Sequence, residues 1–104
     1  MKIMLCCSAG MSTNLLVSKM TLSAKQRAID CEIEAIPEGE INSRLKEADV
    51  FLLGPQVRYR LNSVKEEAQQ YSIPVAVIDS VKYSRMDGRS VLDQAIALYK
   101  AANE

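Results

Sequence analysis

The chain has 104 residues, 48% of them apolar, which is enough for one domain to bury a core without help from disulfides or metals. Its 13 basic and 13 acidic side chains exclude both the positive excess of a nucleic-acid binder and the self-repulsion of a disordered segment. With no run of about 20 apolar residues and no charged, apolar, small-residue leader, the expectation is a cytoplasmic domain that neither spans a membrane nor is secreted.

In chain order, "KIMLCC" (2–7) is a short apolar run, the pattern of a strand buried on both faces, and Ser8-Ala9-Gly10 breaks it. From Ser12 to about Ala28 a helix is expected, with Leu15, Leu16, Met20 and Leu22 as its apolar stripe and Ser12 or Thr13 at its cap. "CEIEAI" (31–36) alternates apolar and acidic residues, which suits a strand near a sheet edge; Pro37 and Gly39 close it. A short helix through Ile41, Leu45 and Ala48 leads to a third strand, "DVFLLG" (49–54). After Gly54-Pro55 the positions Val57, Leu61, Val64 and Ala68 mark a second long helix. "IPVAVID" (73–79) gives a fourth strand, and Val91, Leu92, Ala95, Ile96 and Tyr99 stripe a last helix beyond Asp87-Gly88. Strands alternating with helices imply an α/β fold: an open four-stranded parallel sheet with helices on both faces, a three-layer sandwich forming one domain over residues 1–104. Ligands of such sheets bind beyond the carboxyl ends of the strands, here Cys7 and its loop, Gly54-Pro55-Gln56, and Asp79-Ser80.

The chemistry concentrates in "CSAGMST", residues 7–13. A strand, a turn of small residues and a helix start gather backbone N–H groups and the positive end of a helix dipole around one point. A cysteine at the head of such a cradle has its thiolate stabilised without a histidine, and the chain contains no histidine. The cradle suits a tetrahedral dianion, so the thiolate is expected to accept a phosphoryl group. Cysteine phosphatases of this architecture place an arginine six residues after the cysteine to clamp the phosphoryl oxygens. Here that position is Thr13. Without the clamp, a phosphocysteine should be handed on rather than hydrolysed.

Ser8, Ala9, Gly10, Met11, Ser12 and Thr13 are therefore the expected phosphate-binding loop around the nucleophile Cys7, with Gly10 allowing close backbone approach and a hydroxyl of Ser8, Ser12 or Thr13 capping the helix or bonding the phosphate. Cys6 and Cys31 are expected to pack in the core. Gln56, Arg58, Tyr59, Asp79, Ser80 and Tyr83 fall at or just after strand ends on the same side; Asp79 is expected to brace the loop, and Arg58 is expected as a solvated surface arginine, with pointing at a bound dianion as the alternative. No metal ligand pattern, P-loop or dinucleotide fingerprint occurs, and no cofactor is expected.

These residues resemble a known family. "CSAGMST" followed by "LLVSKM" (15–20), then "LLGPQ" (52–56), "VIDS" (77–80), Tyr83 and Asp87-Gly88, is similar to the cellobiose-type IIB component of the bacterial phosphoenolpyruvate-dependent sugar phosphotransferase system. The resemblance implies a four-stranded parallel sheet and a cytoplasmic phosphocarrier. It implies that Cys7 is phosphorylated by a phosphohistidine of a IIA partner and passes the group to a sugar, cellobiose or a related β-glucoside or chitobiose, bound by the membrane partner IIC. No nucleic acid is involved, membrane contact runs through IIC, and a monomer is the simpler state for a protein that visits two partners. A small apolar patch around the loop, Met11 included, would face them. Two other readings stay open on the residues alone: a low-molecular-weight-type cysteine phosphatase, and a small redox or adaptor domain using Cys6 and Cys7.

Overall fold

A computed structural model of the chain describes residues 1–7 and 10–104, with the side chains of residues 10–12 left aside. Four parallel strands, β1 (Lys2–Cys6), β2 (Glu32–Ile36), β3 (Val50–Leu53) and β4 (Val75–Val77), form one sheet in the order β2-β1-β3-β4. The connecting helices are α1 (Gly10–Gln26), α2 (Ile41–Arg44), α3 (Leu61–Gln69), α4 (Ser80–Ser84) and α5 (Gly88–Ala102). Short 3₁₀ segments flank α2, and a longer one, Pro55–Arg60, leads into α3.

Strand alternation sorts the core into two halves. Ile3 and Leu5 of β1 and Val50 and Leu52 of β3 pack with Leu16 and Met20 of α1, Tyr83 of α4 and Val91, Leu92 and Ala95 of α5. Met4 and Cys6, with Phe51 and Leu53, face the other way onto Ile41, Val57, Val64 and Ala68 of α2, α3 and its lead-in. The two central strands are therefore apolar on both faces, as their continuous runs require. Helix α5 starts so close to α1 that a Cβ on Gly88 would stand 2.6 Å from the Lys19 carbonyl carbon, so any larger residue would push the two helices apart.

The observed elements correct several expected boundaries. Helix α1 begins at Gly10 rather than Ser12, and its buried face is Thr13, Leu16, Met20, Ser23 and Ala24; Leu15 and Leu22 are 50% and 57% exposed and lie outside the stripe. β4 is three residues long, because Pro74 has no N–H to give the ladder. The helix α4 escaped the pattern because five residues are too few to display a period. It is held by Asp79, whose carboxylate accepts from the N–H groups of Val81 and Lys82.

Three helices stop without glycine. Ala28, Ser72 and Met86 adopt φ of 54°, 56° and 52°, each followed by a backbone bond reaching back into the last turn: Ile29 N–H to Ala24 O, Ile73 N–H to Ala68 O and Asp87 N–H to Lys82 O. Non-glycine residues pay a steric penalty in this region. Ala28 and Ser72 are exposed and lose no packing when trimmed, so Ala28→Gly and Ser72→Gly are each expected to stabilise the fold by about 0.5 kcal/mol in urea unfolding, the relief exceeding glycine's extra chain entropy.

On the β2 edge, Arg44 clasps Glu34 with two bonds, 2.5 and 2.8 Å, and Lys2 reaches the same carboxylate at 3.0 Å. Arg44 first, then Lys2, holds the Glu34 carboxyl at about 2, well below its ordinary 4.5. A carboxyl lowered on folding stabilises fully above about pH 4.5 and loses that contribution as pH falls towards 2. Glu34→Gln should flatten the pH dependence of stability across that window by about 1 kcal/mol, a figure reduced for solvent screening of a carboxylate that is 37% exposed.

Candidate functional site

β1 ends at Cys6, and alternation decides what the two neighbouring thiols meet. Cys6 points into the α2/α3 half of the core with no exposed surface, and burial pushes its thiol up to about 11. Cys7, one residue on, turns to the α1 side. Its Sγ is hydrogen-bonded to Thr13 Oγ1 on the first turns of α1. The expected phosphatase-arginine position thus holds a hydroxyl in contact with the sulfur.

The end of β3 is packed against this point. The Gly54 N–H donates to the Cys6 carbonyl at 2.7 Å, and a Cβ on Gly54 would stand 2.8 Å from Cys7 Cβ and 3.3 Å from the Cys6 carbonyl oxygen. Glycine is required here by contact with its neighbours, since Gly54 itself has an ordinary extended backbone, φ −63° and ψ 154°. The site lies between β1 and β3, where the connections leave in opposite directions, the place at which sheets of this order bind their ligands.

Although only 5% exposed, Cys7 opens onto a cleft of about 250 Å³ lined also by Thr13, Asn14, Ala35, Ile36, Pro37 and Glu38. The Glu38 carboxylate Oε2 accepts from the Tyr59 hydroxyl at 2.5 Å and from Arg60 Nη1 at 3.1 Å. These donors, Tyr59 foremost, keep the Glu38 carboxyl below its usual range. A larger cleft of about 490 Å³ beside α3, lined by Asn42, Arg60, Ser63, Glu66 and Glu67, holds no thiol.

Of the expected loop, Ser8 and Ala9 lie outside the described residues, as do the side chains of Gly10, Met11 and Ser12. Thr13 is brought to Cys7. Gln56 is exposed, with its Oε1 folded back towards Gly54. Arg58 is exposed and sits in the 3₁₀ lead-in, not in the first turn of α3, and it does not line the Cys7 cleft. Asp79 and Ser80 are exposed and serve the start of α4 rather than the cleft. Tyr83 is in the core, and Cys31 is only partly buried beside it. Among the described residues no cluster of three or more metal-ligating side chains occurs. Glu38 and Arg60 were not singled out from the sequence. Glu38 follows Pro37 at the carboxyl end of a strand, the same positional clue that picked out Gln56 and Asp79, whereas Arg60 depends on a 3₁₀ path that its α-like apolar spacing does not reveal.

Residues 2–94 match the family model of the lactose/cellobiose-specific IIB subunit of the phosphotransferase system. The chain belongs to this family. It is a IIB phosphocarrier, a component of a sugar phosphotransferase system. The oligo-beta-mannoside-specific EIIB component of Bacillus subtilis (strain 168) is 40% identical over 97 residues, 93% of this chain and 94% of that protein. The cellobiose-specific EIIB component of Lactococcus lactis subsp. lactis (strain IL1403) is 41% identical over 98 residues, 89% of this chain and 91% of its relative. Among solved structures, the cellobiose-specific IIB component of Borrelia burgdorferi superposes with a TM-score of 0.81 at 36% identity, over 98% of this chain and 94% of that one. The lactose-specific IIB domain of Streptococcus pneumoniae shares the fold alone, with a TM-score of 0.86 at 17% identity over 95% and 97% of the two chains. Cys6 and Cys7 point to opposite sides of the sheet, Cys6 with no exposed surface.

Gly54→Ala forces its new methyl against Cys7 Cβ and the Cys6 carbonyl, neither of which can swing away. The variant is expected to lose about 1–3 kcal/mol of stability in urea unfolding and to alter the rate at which Cys7 is alkylated.

Proposed function

We propose that Cys7 is the phosphorylated residue of this IIB subunit and that residues 1–104 act as one phosphocarrier domain. The carrying observation is that the second of two adjacent cysteines, and not the first, opens onto a cleft at the carboxyl end of β1 with a hydroxyl on its sulfur. In the first half-reaction the P–N bond of a phosphohistidine on the IIA partner breaks, the S–P bond forms on Cys7, and the thiol proton ends on the imidazole. In the second, the S–P bond breaks, an O–P bond forms on a sugar held by the membrane partner IIC, and the hydroxyl proton returns to the thiol. Two features favour handing the group on over hydrolysis: Thr13 stands where a phosphatase has arginine, and no cation among the described residues lines the cleft.

The sugar is cellobiose or a related β-glucoside or chitobiose, a reading supported by a relative named for cellobiose. The carrier works as a monomer at the cytoplasmic face of the membrane, and no helix among the described residues is long and apolar enough to cross it. Incubation with phosphoenolpyruvate, the general phosphocarriers and a matching IIA should add one phosphoryl mass, absent in Cys7→Ser and retained in Cys6→Ser. A phosphoryl group found on Cys6 would overturn the assignment.

A further inference from the structure

We propose that Glu38 sets how readily Cys7 releases its phosphoryl group, by fixing a negative charge on the wall of the same cleft, with Arg60 as the opposing charge. The proposal rests on Cys7 being the phosphorylated residue. Of the side chains lining that cleft among the described residues, Glu38 carries the formal charge; Thr13, Asn14, Ala35, Ile36 and Pro37 carry none.

The carboxylate is held in place and kept ionised. Tyr59 and Arg60 both donate to its Oε2, and both come from the Pro55–Arg60 segment that follows Gly54, the residue packed on Cys7. The two charges reach the strand tip: the neighbouring Cys6 thiol is pushed up by Glu38 and pulled down by Arg60, after burial and the adjacent Cys7. Among the described residues the charged group lining the cleft is therefore Glu38 after β2; Tyr59 and Arg60 after β3 reach it through Glu38, and Cys6 of β1 lies behind the strand in the other half of the core. On α1, residues 11–14 are Met, Ser, Thr and Asn, without charge.

The consequence follows from the charge change in the reaction. When the P–N bond of the donor breaks and the S–P bond forms, the thiol proton passes to the imidazole and the cleft receives a dianion. A carboxylate on the wall repels that dianion, and with the Glu38 side chain 29% exposed the repulsion is reduced by solvent but acts across the cleft. The phosphocysteine is thereby raised in free energy and poised to give the group to its next acceptor. A phosphatase loop does the reverse, binding the dianion with an arginine. Arg60 spends its hydrogen bond on Glu38 and so moderates the repulsion without occupying the cleft.

Glu38→Gln keeps the size and can still accept from Tyr59 while removing the charge. Two readouts separate this role from a structural one. The first needs no partner: the rate of Cys7 alkylation by anionic iodoacetate divided by the rate with neutral iodoacetamide, with the modified peptide identified by mass. This ratio should rise about threefold in Glu38→Gln, fall in Arg60→Gln and return close to the parent value in the double variant. The second is the equilibrium division of phosphoryl between IIA and Cys7, which should move about tenfold towards Cys7 in Glu38→Gln, the larger change reflecting a dianion, and the opposite way in Arg60→Gln. An unchanged ratio in Glu38→Gln, or the two single variants moving it in the same direction, overturns the proposal. If Cys7 of the parent protein takes no phosphoryl group, the assignment of Cys7 fails, and the alkylation ratio still decides whether Glu38 controls the charge at this thiol.

Discussion

The hydrogen bond from the Gly54 N–H to the Cys6 carbonyl, made possible by a residue with no side chain, fixes the geometry on which the site depends. It extends the β1–β3 ladder one step past Leu53, so that the two central strands leave the sheet side by side. The chain after β1 turns to one face and begins α1; the chain after β3 turns to the other and enters the Pro55–Arg60 segment. The gap between these diverging exits is where Cys7 sits. A bulkier residue at position 54 would separate the strand tips and displace the thiol from Thr13 and from the cleft together.

Strand alternation explains why two adjacent, chemically identical side chains have different fates. One residue of register sends Cys6 into a dry interior, where ionisation is costly, and Cys7 towards a helix start and an opening. Shifting β1 by one position would exchange the two and would also invert Ile3, Met4 and Leu5 between the core halves, so the packing of both halves protects the identity of the thiol at the cleft. A role in phosphoryl transfer needs little more from the scaffold: a nucleophile held still, an approach for a partner, and no group that would hold the product too tightly.

The sequence made some of this plain because single elements carried it. The apolar runs of β1 and β3 have the pattern of strands buried on both faces, and the alternating 31–36 segment has that of a strand near a sheet edge, which is where the sheet places them. What was hidden depended on tertiary choice. Leu15 and Leu22 are as apolar as Leu16, and nothing local says which arc of α1 meets the sheet. The stops at Ala28, Ser72 and Met86 lack the glycine that ordinarily marks a left-handed end, so the pattern alone carries the expected first helix on to Ala28, past its end at Gln26. Glu38 and Arg60 are 22 residues apart and meet only because β2 and β3 flank β1 and end at the same level.

The two margins of the sheet have a consequence for life in a crowded solution. β2 offers its unpaired edge with Glu32 and Glu34 spaced along it, so the same strand of another molecule would bring acid against acid. β4 offers three residues behind a proline, too short a template for a stranger to zip onto. Neither rim invites an added strand, so molecules of this carrier can collide with their own kind without growing into a fibre.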